Sequence, residues 1–131
     1  MVLTDMPGRK RLRVAWEGAT SSSHAIAIVF IVDSADESRF GQARTELHRV
    51  AKTSSLPLLV LANKQDLPQA ATADEVTKAL GCVGAQMPVR GCSAIDDSLC
   101  VSAIMAWVAE LSVMSHASHQ RADVQGGRAR M

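Results

Sequence analysis

Two stretches of the chain are apolar without the polar interruptions of a surface element. Ala25 to Val32 is rich in β-branched residues, and Leu56 to Ala62 forms a second such run. Continuous apolar runs, rather than an in–out alternation, predict strands buried on both faces, as in a parallel sheet. Each run stops at a polar residue, Asp33 and Asn63. A weaker third strand is predicted from Met87 to Cys92. Helical spacing follows each strand. Ser34 with Glu37 reads as a capping box, leading into Phe40, Ala43, Leu47, Val50 and Ala51. Thr72 with Glu75 repeats the device ahead of Val76, Ala79 and Leu80, and Gly81 supplies the stop. A last helix opens near Asp96 or Asp97, with Val101, Ile104, Met105, Val108 and Leu111 on one face. Strand–helix alternation of this kind predicts a three-layer α/β domain with a mainly parallel sheet. Ligands of such domains bind at loops leaving the carboxyl ends of strands, where Asp33, Asn63 and Ser93 all fall.

A chain of 131 residues has room for one domain. Its 47% hydrophobic and 21% charged content suffices for a core. With 3% aromatics and no Tyr, that core must be packed by aliphatic side chains. The formal charge of +1 gives no whole-chain attraction to nucleic acid or to a membrane surface. Cys82, Cys92 and Cys100 form an odd set without paired spacing, which fits thiols in a reducing compartment better than disulfides or zinc. His24, His48, His116 and His119 are not spaced as ligands except the last two, so no metal site is expected. No Ser-His-Asp or Cys-His arrangement nominates a catalytic residue. The longest apolar run is too short for a bilayer, and Val2 stands where myristoylation needs glycine. A cytoplasmic protein without an intrinsic membrane segment is expected. Residues 1–24 are expected to be loosely ordered, and a tail from about 115 to 131 to fray.

The most specific signal is Asn63-Lys64-Gln65-Asp66, directly after a buried strand. An N-K-x-D loop suits guanine: the Asp66 carboxylate can accept from N1 and the exocyclic N2 together, which adenine cannot donate. Lys64 can lay its stem along the ring, and Asn63 can tie the loop to its neighbours and to the purine N7 edge. The plain alternative is a solvated turn, since Asn, Lys and Asp are common there. Cys92-Ser93-Ala94 lies one strand later, where a backbone amide could donate to guanine O6; on its own it would be an ordinary loop.

Ile31-Val32-Asp33-Ser34-Ala35-Asp36, then Leu58 through Asn63-Lys64-Gln65-Asp66-Leu67-Pro68, and then Arg90-Gly91-Cys92-Ser93-Ala94 together resemble the Arf and Arf-like branch of the small GTP-binding proteins, over about residues 25 to 112. The resemblance implies the P-loop small GTPase fold, GTP or GDP as ligand with Mg2+, effectors and exchange factors as partners, and a GTP-dependent switch in membrane trafficking or signalling, with peripheral membrane association. It departs after Ala94, where Ile95-Asp96-Asp97-Ser98 replaces the glycines usual in the family. Upstream, Thr4-Asp5-Met6-Pro7-Gly8-Arg9 lies where the family has W-D-x-G-G-Q. On that alignment Asp5 would reach magnesium through water, the Gly8 amide would meet the γ-phosphate, and Arg9 would replace the glutamine that positions water. The competing reading is an unrelated basic leader.

No G-x-x-x-x-G-K-S/T occurs in these residues, so the resemblance lacks its phosphate cradle. The expectation is an incomplete, N-terminally truncated domain that keeps the guanine-recognition half and binds nucleotide weakly if at all. Its missing first strand would belong between the third and fourth strands of the full fold. That loss is expected to expose ladder groups of Ile26 to Val32 to self-association. Glu17 to His24 replaces the family's second helix with poor helix formers. The alternative function is a nucleotide-independent interaction module or a non-functional truncated isoform.

Overall fold

The computed structural model describes residues 2–21 and 24–126. Its centre is a three-stranded sheet of order β1-β2-β3, with β1 at Ile28–Asp33, β2 at Leu58–Asn63 and β3 at Val89–Gly91. Both pairings are parallel, as the unbroken apolar runs predict. Ile28 lies opposite Leu58 and Asp33 opposite Asn63, while Val60 lies opposite Val89 and Ala62 opposite Gly91. Helix α1 spans Ala15–Thr20, α2 Phe40–Thr53, α3 Ala73–Leu80 and α4 Asp97–Gly126.

The period-two alternation of the strands divides the core into two layers. Leu58, Val60 and Ala62 share one layer with Val32 of β1, Phe40, Leu47 and Val50 of α2, and Val76 and Leu80 of α3. Leu59 and Leu61 point the other way, into a smaller layer with Cys92 and Trp107 of α4. The three-layer α/β arrangement expected from the alternation of elements is therefore present, with the incomplete sheet of a P-loop GTPase.

Helix α3 begins and ends as its sequence dictates. Thr72 accepts from the Glu75 amide at 3.3 Å while Glu75 Oε2 accepts from the Thr72 amide at 2.8 Å, and Gly81 closes the helix in the left-handed region at φ 64°. The Ser34–Glu37 box does not form. A short 3-10 turn at Glu37–Arg39 precedes α2, and neither segment has a side-chain cap. Ser34 extends the strand instead: its amide donates to the Asn63 carbonyl and its carbonyl accepts from the Ala71 amide, so the residue is fully buried before any helix starts.

Helix α4 presents a rotated face. Trp107, with Cys100, Ala103, Ile104, Val108 and Leu111, packs on the sheet, whereas Val101 and Met105 are half or more exposed. Apolar residues lie nearly all round this helix, so spacing alone does not select the buried stripe. The helix runs through the stretch expected to fray, because neither Gly nor Pro interrupts it before Gly126; residues 127–131 lie outside the described residues. No helix among the described residues is long and apolar enough to cross a membrane.

At the N-terminus α1 forms where poor helix formers argued against one. Trp16 packs edge-on against Phe30, ring centroids 6.1 Å apart, and Arg13 lies over the indole. Glu46 of α2 then receives both Arg13 at 3.2 Å and Arg49 at 3.1 Å. Burial pushes the Glu46 carboxyl up, but the two guanidinium groups outweigh it and hold it below its ordinary range. β1 pairs with β2 on one side, and no strand among the described residues pairs with its other edge, which agrees with the ladder exposure expected for Ile26 to Val32.

Candidate functional site

The carboxyl ends of the three strands converge on the loops singled out by their sequences. The β2–β3 ladder continues past the strands: the Cys92 amide donates to the Ala62 carbonyl at 2.9 Å, and the Gln65 amide to the Cys92 carbonyl at 3.0 Å. Between them Lys64 takes φ 68°, and the Leu67 amide bonds back to the Lys64 carbonyl at 3.0 Å. A non-glycine residue in this region costs on the order of 1 kcal/mol, and it is held there by the bonds on either side.

Side chains then lock the two loops together. Asn63 Oδ1 accepts from the Ala94 amide at 2.9 Å and from the Cys92 thiol at 3.7 Å. The Ser93 hydroxyl donates to Asp66 Oδ1 at 2.5 Å. Ser93 and Cys92 are buried, while Asp66 and Lys64 are exposed, so the carboxylate is anchored through one oxygen and faces outward. This is the arrangement that could read the donor pair of guanine. Asn63, Lys64, Asp66, Ser93 and Ala94 thus come together. The Ala94 amide is already committed to Asn63, so it is not free to donate to a base.

Asp33 was placed at a strand end without a partner, and it belongs to the same cluster. Lys64 Nζ lies 2.6 Å from Asp33 Oδ2, and Asp33 Oδ1 accepts from the Ala35 amide. The hydrogen bond from Lys64 holds the Asp33 carboxyl below its ordinary value, and the same bond raises the Lys64 ammonium. Gln65, the unspecified position of the motif, is also used. Its Nε2 donates to the Ala71 carbonyl, and its Cγ packs over Gly91, 3.3 Å from where a Cβ would stand. Burial, then the neighbouring Cys100, pushes the Cys92 thiol up to about 12, so it serves as a neutral donor and not as a nucleophile.

Asp5 and Gly8 lie outside this cluster of contacts. The Gly8 carbonyl accepts from Arg13 Nε, and Gly8 lines an open cleft with Arg9, Lys10, Arg13, Arg39 and Gln42, while Asp5 is exposed. For a guanine nucleotide the residues present fit the base: a fixed, outward carboxylate beside a lysine stem. They do not fit its phosphates, since the described residues that face this site offer no nest of backbone amides followed by lysine and hydroxyl.

The sequence matches the ADP-ribosylation factor family over residues 1–111. It is 43% identical to mouse ADP-ribosylation factor-like protein 4D over 99 residues, which cover 70% of this chain and 48% of that protein. Identity to the human ADP-ribosylation factor-like protein 4C is 40% over 79 residues, 58% of this chain and 40% of that one. To human ADP-ribosylation factor-like protein 4A it is 36% over 103 residues, 72% of this chain and 50% of that protein. The chain spans about half the length of the curated relatives it matches. With the family match extending over residues 1–111, most of the chain, this protein belongs to the ADP-ribosylation factor family of small GTP-binding proteins.

Proposed function

We propose that the loops at the ends of β2 and β3 recognise the guanine base, Asp66 reading it, Lys64 covering one ring face, and Asn63, Ser93 and Ala94 holding the reading frame. The observation that carries this is the locking of the two loops by the Asn63–Ala94 and Ser93–Asp66 bonds, which leaves the carboxylate of Asp66 fixed and exposed. In the complete family domain this half serves a GTP-dependent switch in trafficking or signalling, cytoplasmic and peripherally attached to membranes, read by effectors and reset by exchange factors. The family match beginning at residue 1 supports placing Asp5 and Gly8 at the magnesium and γ-phosphate positions, with Arg9 where the water-positioning glutamine belongs. Turnover of GTP by these 131 residues is not expected, since phosphoryl transfer depends on positioned phosphates and an oriented water.

Affinity follows from what remains. A few hydrogen bonds and one stacked stem correspond to dissociation constants of roughly a millimolar. Titration followed by NMR should give GDP and guanosine similar affinities, both tighter than ADP, and Asp66→Ala should erase the preference. Equal binding of ADP and GDP by the unmutated chain defeats the assignment. A second reading is a nucleotide-independent interaction module. The Lys64–Asp33 pair favours it, because the loop's cation is satisfied without any ligand; complete absence of guanosine shifts at Asp66 would select it.

A further inference from the structure

Of the three free thiols, two are neighbours. Cys92 follows β3 and is 1% exposed, its backbone held by the Ala62 carbonyl on one side and the Gln65 amide on the other. Cys100 lies near the start of α4, half-buried, and packs against the layer that holds Cys92, Leu59, Leu61 and Trp107. The two sulfurs interact directly, since a side-chain contact with Cys100 is part of what keeps the proton on Cys92. Cys82 is the contrast. It is also half-buried, but it packs in the other layer, beside α3, and burial is what pushes its thiol up.

An apolar site that penalises a thiolate does not penalise a disulfide, which carries no charge. Solvent access sets the order of events, because Cys100 is within reach of a small oxidant and Cys92 is not. The Cys100 thiolate attacks one oxygen of hydrogen peroxide and breaks the O–O bond. That leaves a sulfenic acid on Cys100 and a hydroxide, which takes up the proton the thiol released and departs as water. The Cys92 sulfur then bonds to the Cys100 sulfur, and the proton that burial kept on Cys92 leaves with the sulfenic hydroxyl as a second water. Two electrons pass from the thiol pair to one peroxide. The loop closed by the new bond contains Ser93 and Ala94, which lock onto Asp66 and Asn63, and closure takes away the thiol proton that Cys92 donates to Asn63 Oδ1.

We propose that Cys92 and Cys100 form a peroxide-responsive dithiol, which closes to a disulfide tying the end of β3 to the start of α4 and removes the thiol donor from Asn63. The proposal does not rest on guanine recognition, and its test uses no nucleotide. The reduced full chain is treated with equimolar hydrogen peroxide, alkylated in denaturant and digested with trypsin. Cys92 and Cys100 fall in one tryptic peptide, Gly91–Arg121, and Cys82 in another, Ala79–Arg90. By mass spectrometry the first should emerge two hydrogens lighter and unalkylated, the second fully alkylated, and a dithiol reductant should reverse the change. Cys92→Ser should leave Cys100 as a sulfenic acid that dimedone traps, and Cys100→Ser should slow oxidation of Cys92 at least about tenfold. NMR of the unmutated chain supplies a readout independent of the variants. The Ala94 amide, bonded to Asn63, should shift on oxidation, and the Phe30 amide should not. Alkylation of both Cys92 and Cys100 after peroxide, oxidation of Cys82 ahead of them, a disulfide to Cys82 or between chains, or an unmoved Ala94 amide overturns the proposal.

Discussion

The two layers beside the sheet are built from the same strands yet are unequal. On one side α2 and α3 press Leu47, Val50, Val76 and Leu80 onto Val32, Leu58 and Val60, and α1 adds Trp16. On the other, α4 works alone: Leu59, Leu61 and Cys92 are covered by the buried Trp107 and by half-buried side chains such as Ile104, Val108 and Leu111, and Ile31 is left exposed. The thick layer has many buried side chains, and the thin layer has few. Such a difference sets where the molecule opens first, because local stability follows the apolar area each element buries.

Truncation at each anchor should break the symmetry between the layers most visibly. Trp107→Ala removes the one buried side chain among the described side chains of α4 and should cost about 3–5 kcal/mol, and Leu80→Ala in the thick layer about 2–5 kcal/mol. The magnitudes overlap, but the manner of failure should not. Hydrogen exchange in Trp107→Ala is expected to show α4 opening while α2 and α3 keep their protection. In Leu80→Ala protection should fall across the whole sheet. Uniform loss in both variants would mean that the layers are energetically one unit.

A subtler contrast lies within the thick layer, between two sites that share the S/T-x-x-E pattern. Thr72 caps α3, whereas the Ser34 hydroxyl is fully buried without a hydrogen-bond partner. Alanine should therefore act with opposite signs. Thr72→Ala loses a cap and should destabilise by about 1 kcal/mol. Ser34→Ala removes a buried unsatisfied hydroxyl and should stabilise by a comparable amount, about 1 kcal/mol. Urea denaturation of the two variants measures both, and a destabilised Ser34→Ala would mean that its hydroxyl has a partner after all.

Those two sites also show what the chain discloses before folding is seen. Both have the right letters, but only Thr72 is followed at once by helix-spaced apolar residues. Ser34 is claimed by Asn63 and Ala71, residues about thirty positions away whose proximity no local pattern reveals. The strands were legible because a strand buried on both faces must be apolar throughout. The buried stripe of α4 was not legible, since Val101 and Met105 are as apolar as Ile104 and Val108. At the site, Asn63, Lys64 and Asp66 were readable as one contiguous motif, and Ser93 and Ala94 by their place one strand later. Asp33, the partner of Lys64, comes from a third strand and shows only in three dimensions.

That Asp33–Lys64 pair sits on the rim common to both layers, exposed to solvent, and should have the smallest effect of all. Its sign with pH is nevertheless definite. Asp33 titrates below its ordinary 3.8 in the folded chain, so its stabilising share is present above that value and is lost as pH falls through the lowered folded-state pKa. Lys64 titrates above its ordinary 10.5, so its share is present below that value and is lost as pH rises through the raised one. Asp33→Asn keeps an acceptor for the Ala35 amide but removes the charge. The difference in melting temperature between the unmutated chain and Asp33→Asn should therefore form a plateau across neutral pH and shrink toward both extremes. It should also shrink in high salt, as expected for an exposed pair. A difference that persists unchanged into acid would show that it does not arise from the charge of Asp33, and that the two strand ends are not coupled by charge.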